Sequence, residues 1–256
     1  MNINPISGNY VIPKGFAFAR FAGNDYFEEL GDMDAFETSV EVERDERKDN
    51  RFGVARTSDS QVTDIGVTVS MTLMQHTNRN RALAVMGSNG VMTQTAETAL
   101  TKTFENTVAN QFYGLDRFDV TITSVTDELD TNLVLGVDYT VDAKSGVIQP
   151  LKVFEEFVVT YGCAAILPAS NRLKTGVGGN PDIEAELLLV GNNLKGQKVH
   201  VRLWKVRLTP SSGRGYIGNE RAGIEIEGEC LADAVKALAE GNSEEYAFGV
   251  EQTLAA

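Results

Sequence analysis

The sequence predicts a mainly β protein, a β-sandwich or barrel-like subunit with one flanking α-helix. Three observations carry that expectation. Apolar side chains recur at every second position in runs such as "FETSVEVE" and "VTVSMTL", and a two-residue period places them on one face of a strand. Turn-forming residues separate these runs at hairpin spacing, without the intervening helices that a parallel sheet needs. One segment alone, "TNRNRALAVMG", carries a firm helical pattern.

The elements follow in order. Residues 1–34 hold Gly, Pro and Asn breaks around "GFAFARFAG" and read as an N-terminal arm, with Phe16, Phe18 and Arg20 alternating with Ala17 and Ala19. The first core strand puts Phe36, Thr38, Val40 and Val42 on an apolar face and Glu37, Ser39, Glu41 and Glu43 on the opposite one. From Arg44 to Asp64 no period remains, and the stretch is longer than most connections in a compact domain, so a long loop is expected over 44–64. The second core strand sets Val67, Val69, Met71 and Leu73 against Thr68, Ser70 and Thr72. A helix over about residues 78–87 comes next, capped by Thr77 or Asn78 and stopped by Gly87.

Residues 91–116 carry six threonines, which favour extended chain over helix. The region 91–164 reads as inserted hairpins, one of them closed by "DAKSG". After the break "KTGVGGNPD" come "DIEAELLLVG", "KVHVRLWKVRL" and "RAGIEIEGECL", all strands, the last carrying a second acidic row of Glu225, Glu227 and Glu229. "LADAVKALAEG" reads as a short amphipathic helix and "EYAFGVEQ" as a final strand. The expectation is one domain over 1–256 whose core lies in 35–90 and 180–256.

Charge and chemistry narrow the function classes. The net charge of -13 argues against a surface that grips phosphates, which requires stripes of Lys and Arg. Cys163 and Cys230 sit in strand-like surroundings and read as small buried residues of a reducing compartment. "MNINPISGNYVIPKG" has neither a basic stretch nor an apolar run, so no export leader is expected, and no apolar run is long enough for a membrane helix. With His76 and His200 the only histidines, a His-dependent triad or a multi-histidine metal site has little material. "GVGGN" is followed by Pro181 and a strand pattern, so it offers no helix N-terminus to an anion. Asp32 and Asp34 supply two carboxylates where a calcium loop needs more oxygens. No enzyme activity, cofactor or metal is therefore expected, and the conspicuous chemistry left is the two carboxylate rows.

Several segments together resemble the tail tube, or major tail, protein of long-tailed bacteriophages with non-contractile tails. They are "FEELGDMDAFETSVEVERDERKDNRFG", "VTVSMTLMQHTNRNRALAVMG", "GVDYTVDAKSGVI" and "ELLLVGNNLKGQKVHVRLWKVRLTP" followed by "IEIEGECLAD", spread in order over residues 27–233. The resemblance implies a virion protein, assembled in the bacterial cytoplasm, whose hexameric rings stack into a hollow tube. Its partners would be copies of itself, the tape measure protein, and the tail-tip and tail terminator proteins, with DNA passing through the lumen unbound and no membrane involved. It assigns the 44–64 loop to contacts between rings, through Arg44, Asp45, Glu46, Arg47, Lys48, Asp49, Arg51, Phe52, Arg56 and Asp59. It further implies a lumen lined by Glu37, Glu41 and Glu43 or by Glu225, Glu227 and Glu229, and alternation does not choose between the rows. One row has a rival use, as cross-strand partner of the basic face formed by His200, Arg202, Lys205 and Arg207. Two other readings stand beside this one: the tube protein of a contractile tail or type VI secretion-like device, and a virion decoration or ligand-binding β-sandwich module.

Overall fold

A computed structural model describes residues 11–51, 53–242 and 244–254. Among the described residues the fold is mainly β, with antiparallel sheets and two short α-helices, and no sheet closes into a barrel. The chain divides into two compact units, Met1–Asn89 with Thr175–Ala256, and Gly90–Lys174.

The first unit is one antiparallel sheet. Its strands are β1 (Gly15–Phe21), β2 (Glu28–Glu29), β3 (Met33–Asp49) and β4 (Arg56–Leu73), then, after the second unit, β13 (Ile183–Gly191), β14 (Val199–Pro210), β15 (Ile224–Cys230) and β16 (Gly249–Thr253). They lie in the order β2-β1-β13-β14-β15-β4-β3, and β16 pairs with β14. β14 shares one edge between two partners: Val199–Leu203 pairs with β16 and Val206–Pro210 with β15. The core lies on one face of this sheet, where Ala17, Ala19, Phe21, Leu187, Val206, Leu208, Ile226, Val69, Met71 and Leu73 pack with Leu30 and Leu83. In β1 the buried set is thus the alanines and Phe21, while Phe16 stays exposed. Small side chains there let the strand approach the core closely.

Gly228 is a tight position of this core. A Cβ at residue 228 would collide with Val206 Cγ1 and lie 2.7 Å from Val69 Cγ1. Gly228→Ala is expected to lower stability by about 1–3 kcal/mol, the usual result of overpacking, read as a fall in the urea midpoint at unchanged slope. An unchanged midpoint would mean that the two valines swing aside without cost.

Helix α1 (Asn78–Leu83) starts at Thr77, whose Oγ1 accepts the Asn80 N–H at 3.1 Å. It is shorter than the expected 78–87. Met86 turns into the left-handed region at φ 47°, and the Gly87 and Met86 amides return to Ala82 and Leu83, which closes the helix in a Schellman arrangement. Gly87 is required because the Cβ of any other residue there would collide with the Gly176 carbonyl. Asn80, fully buried, donates from Nδ2 to the carbonyls of Leu30 and Gln75 at 2.7 Å each and ties the helix to the chain entering β3. Helix α2 (Ala234–Ala239) is capped by Asp233, whose carboxylate accepts the Val235 and Lys236 amides.

The second unit holds β6 (Glu97–Glu105), β8 (Val120–Asp127) and β11 (Glu156–Cys163) in one three-stranded sheet. A second sheet is formed by β7 (Tyr113–Gly114), β9 (Tyr139–Asp142) and β10 (Val147–Pro150). Its own core centres on Phe157, Leu115, Ile148, Tyr139, Val125 and Val159, with the Tyr161 hydroxyl donating to the Leu115 carbonyl. The extended chain and hairpins expected for 91–164 are present, and "DAKSG" joins β9 to β10 through Gly146 at φ 67°. The unit runs on to Lys174 through a 3-10 turn (Pro168–Ser170) and β12 (Leu173–Thr175), which pairs with β5 (Asn89–Val91). Cys163 and Cys230 are free and buried, and burial pushes the Cys230 thiol up to about 11.

The expected long loop over 44–64 is corrected. β3 and β4 run on as a continuous ladder out to Asp49 and Arg56, with pairs such as Glu46 with Ser60 and Asp49 with Arg56. Register shifts at Glu43/Arg44 and Arg47/Lys48 mark bulges in this arm. The apolar alternation stops because neither face of the arm is covered by the chain's own core, whereas strand pairing needs backbone alone. For the same reason Val40 and Val42, expected in the core, are 63% and 45% exposed. Phe52 lies outside the described residues, as do residues 1–10 of the N-terminal arm.

Candidate functional site

Sheet register assembles the site. Ser70 of β4 stands opposite both Glu37 of β3 and Glu227 of β15, and Thr68 stands opposite both Ser39 and Glu229. Glu225 stands opposite Thr72, and Glu41 opposite Gly66. Directly paired residues of adjacent strands project to the same side. The two acidic rows read from the sequence as alternatives therefore occupy one face of one sheet, separated by the hydroxyl row of Thr68, Ser70 and Thr72. Two strand spacings put them roughly 10 Å apart. Between them lies an open groove of about 620 Å³, lined by Glu37, Glu41, Glu227 and Glu229 with Ser39 and Ser70, and by Arg207 at its β14 side.

All six carboxylates are exposed, and among the described residues none takes part in an ion pair. The rival use of these rows, as cross-strand partners of the basic face of β14, is met in register at one position, Arg207 opposite Glu229, but no ion pair forms there among the described residues. Those cations turn to β13 and the residue before it: Arg207 Nε meets Asp182 Oδ1 at 2.9 Å, Lys205 Nζ meets Glu184 Oε2 at 3.3 Å, and Arg202 Nε meets Glu186 Oε1 at 2.5 Å. His200 pairs across the ladder with Val190 and Gln252. The groove lining thus holds one cation, Arg207, whose charge is already engaged by Asp182 and Glu184.

The arm extends this face. Beyond Glu41 it carries Glu43 opposite Asp64, then Asp45 opposite Gln61 and Arg47 opposite Asp59. Like charges set directly opposite each other destabilise an isolated ladder. Near the tip Arg51 makes a bidentate pair with Asp49, 2.7 Å at its shortest, and this holds the Asp49 carboxyl below its usual range. Glu46 accepts the Thr57 hydroxyl at 3.4 Å. Arg44, Lys48 and Arg56 make no ion pair among the described residues.

Sequence reasoning missed a charged hub on the same side of the sheet. Glu186, with 4% of its side chain exposed, contacts Arg20 of β1, Arg202 of β14 and Lys236 of α2, the last at 2.7 Å. Trp204 lies beside it, buried, with its Nε1 donating to the Tyr246 carbonyl at 2.9 Å and with Arg202 and Lys236 over its ring. Burial pushes the Glu186 carboxyl up, but hydrogen bonds from Lys236, Arg202 and Arg20 together outweigh it and hold the group below its usual value. The signal in the sequence was "IEAEL", two acids alternating inside a strand that is otherwise apolar, with Arg20 and Arg202 on strands that pair with it.

Among the described residues no group of three or more His, Cys, Asp or Glu is placed to hold a metal ion, and no helix is long and apolar enough to cross a membrane. A family described as "Protein of unknown function UCP028589" matches residues 15–245, and the chain belongs to that family. No curated protein matches the chain.

Proposed function

We propose that this chain is the subunit of a bacteriophage tail tube, a structural virion protein whose rings stack into a hollow conduit for DNA. The observation that carries the reading is the open sheet face bearing both carboxylate rows, where acids outnumber the single lining cation, Arg207, which is itself engaged by Asp182 and Glu184. Such a face repels phosphates and leaves DNA centred in water, whereas a row of lysines would release counterions and hold it. A carbohydrate-binding groove would present aromatic rings, and the lining of this groove contains none.

Self-assembly is supported by the sheet's edges. One edge is β3, a strand of 17 residues with no partner on its outer side among the described residues. The other is β1, covered by β2 at Phe18 and Ala19 alone. Long open edges invite aggregation unless something covers them, and pairing between copies in a ring would do so. In this reading the tape measure, tail-tip and terminator proteins are the further partners.

Electron microscopy of the purified protein at rising concentration tests the proposal. Rings or hollow tubes are expected. A protein that stays monomeric throughout, even with a tail-tip complex added as nucleus, would end it.

A further inference from the structure

The second unit has two unlike ends. Its chain enters at Gly90 and leaves at Lys174, beside the start of β6 and the end of β11, where Gln94 bridges to Ile166. The turn between β9 and β10 opens at this end too, with its Ala143 carbonyl accepting the amide of Val120, the first residue of β8. The other three connections, 106–112, 128–138 and 151–155, gather at the opposite end. There β6 finishes and β11 begins (Glu105 with Glu156), β8 finishes beside Phe157, and β9 begins against the last residue of β10 (Tyr139 with Pro150). The 9 residues of β6 set the two ends roughly 25 Å apart.

Apolar side chains crowd this far end. Phe112, Leu129, Val134, Leu135, Val137 and Val153 keep 55–78% of their surface in solvent. Single exposed apolar residues are ordinary, but six on three adjoining connections form a patch of the kind that marks an interaction surface. The connections are also fastened together. Buried Thr107 donates its amide to the Phe154 carbonyl at 2.8 Å, and its hydroxyl accepts the Phe154 N–H at 3.0 Å. The Asp138 carboxylate accepts the Val134 amide at 2.9 Å and meets Lys152 Nζ at 2.6 Å, while its carbonyl accepts the Leu151 amide at 2.7 Å. Connections already held in place lose little freedom on binding.

We infer that this end docks a partner protein whose apolar side chains are ringed by Lys or Arg. Charge chooses that occupant. Segments 105–112, 127–138 and 151–156 hold seven carboxylates and one cation, Lys152, which pairs with Asp138. Lys102, Arg117, Lys144 and Arg172 meet Asp116, Glu97 and Asp119 towards the entry end. An anionic membrane or a nucleic acid is repelled by such a rim, and a second copy of this end would set carboxylates against carboxylates. The surface lies wholly within the second unit and stands apart from the tube reading.

A labelled amphipathic helical peptide of leucine and lysine, and its leucine and glutamate counterpart, probe this end in the full chain. The lysine peptide is expected to bind and to slow hydrogen exchange in the three connections, and the glutamate peptide to bind at least about tenfold more weakly. Phe112→Ser with Leu135→Ser and Val153→Ser should weaken the lysine peptide at least about tenfold, and so should Glu128→Lys with Glu155→Lys. The charge variant leaves the apolar patch whole, so it decides even if the serines disturb the connections. Both variants keep the acidic rows of the first unit. Binding that survives in either therefore belongs to those rows and overturns the inference. Equal binding of the glutamate peptide, no binding of the lysine peptide, adhesion of the chain to vesicles of anionic lipid, or self-association that the serine variant abolishes would overturn it as well.

Discussion

Lysine in place of Glu37, Glu227 and Glu229 is expected to leave tubes intact and trap DNA inside them. The three side chains are exposed and make no ion pair among the described residues, so their exchange removes nothing that holds the fold. What changes is the sign of the field over the groove. Each lysine that meets a phosphate releases a counterion, and affinity then falls steeply with salt, by about 10³–10⁵ between 50 and 200 mM for six to ten contacts. Isolated variant tubes should therefore retain linear duplex DNA at about 50 mM salt and release it at about 200 mM, while wild-type tubes retain none at either. Particles carrying the variant should assemble normally and fail to eject. Normal ejection together with no DNA retained at low salt would remove this face from the lumen.

How much of this was legible in the sequence depended on whether one chain supplies the cause. Strands with one covered face, such as "VTVSMTL" and "IEIEGEC", announced themselves, because burial imposes a two-residue period. The arm did not. Its strands hold together through backbone pairing, with both faces exposed, so "RDERKDNRFG" carries no period and read as a loop. The acidic rows were legible as rows, but their sharing of one face depends on β4 lying between β3 and β15, and strand order is a long-range fact. The same limit hid Glu186. Nothing local to "IEAEL" says that Arg20, 166 residues away, and Lys236, 50 residues away, converge on it.

That convergence makes Glu186 the position where one substitution should cost the most stability. Removing one partner of a buried ion pair typically costs about 3–5 kcal/mol, because the remaining charge stays buried and unpaired. Here the cations keep 30–39% of their side-chain surface in solvent, which lowers the expectation for Glu186→Gln to about 2–3 kcal/mol at neutral pH. For a domain of this size that is a fall in Tm of about 5–10 °C. The pH dependence separates a charge effect from a packing effect. The folded-state pKa of Glu186 is depressed, so its contribution is fully present above the ordinary glutamate value and is lost as pH falls through the folded one. Once protonated, Glu186 is as neutral as the glutamine that replaces it. If the hub is electrostatic, the wild type and Glu186→Gln should therefore converge in stability on acidification. Urea denaturation from neutral pH downwards reads the gap directly. A gap that stays constant across that range would assign the role of Glu186 to side-chain packing and not to its charge.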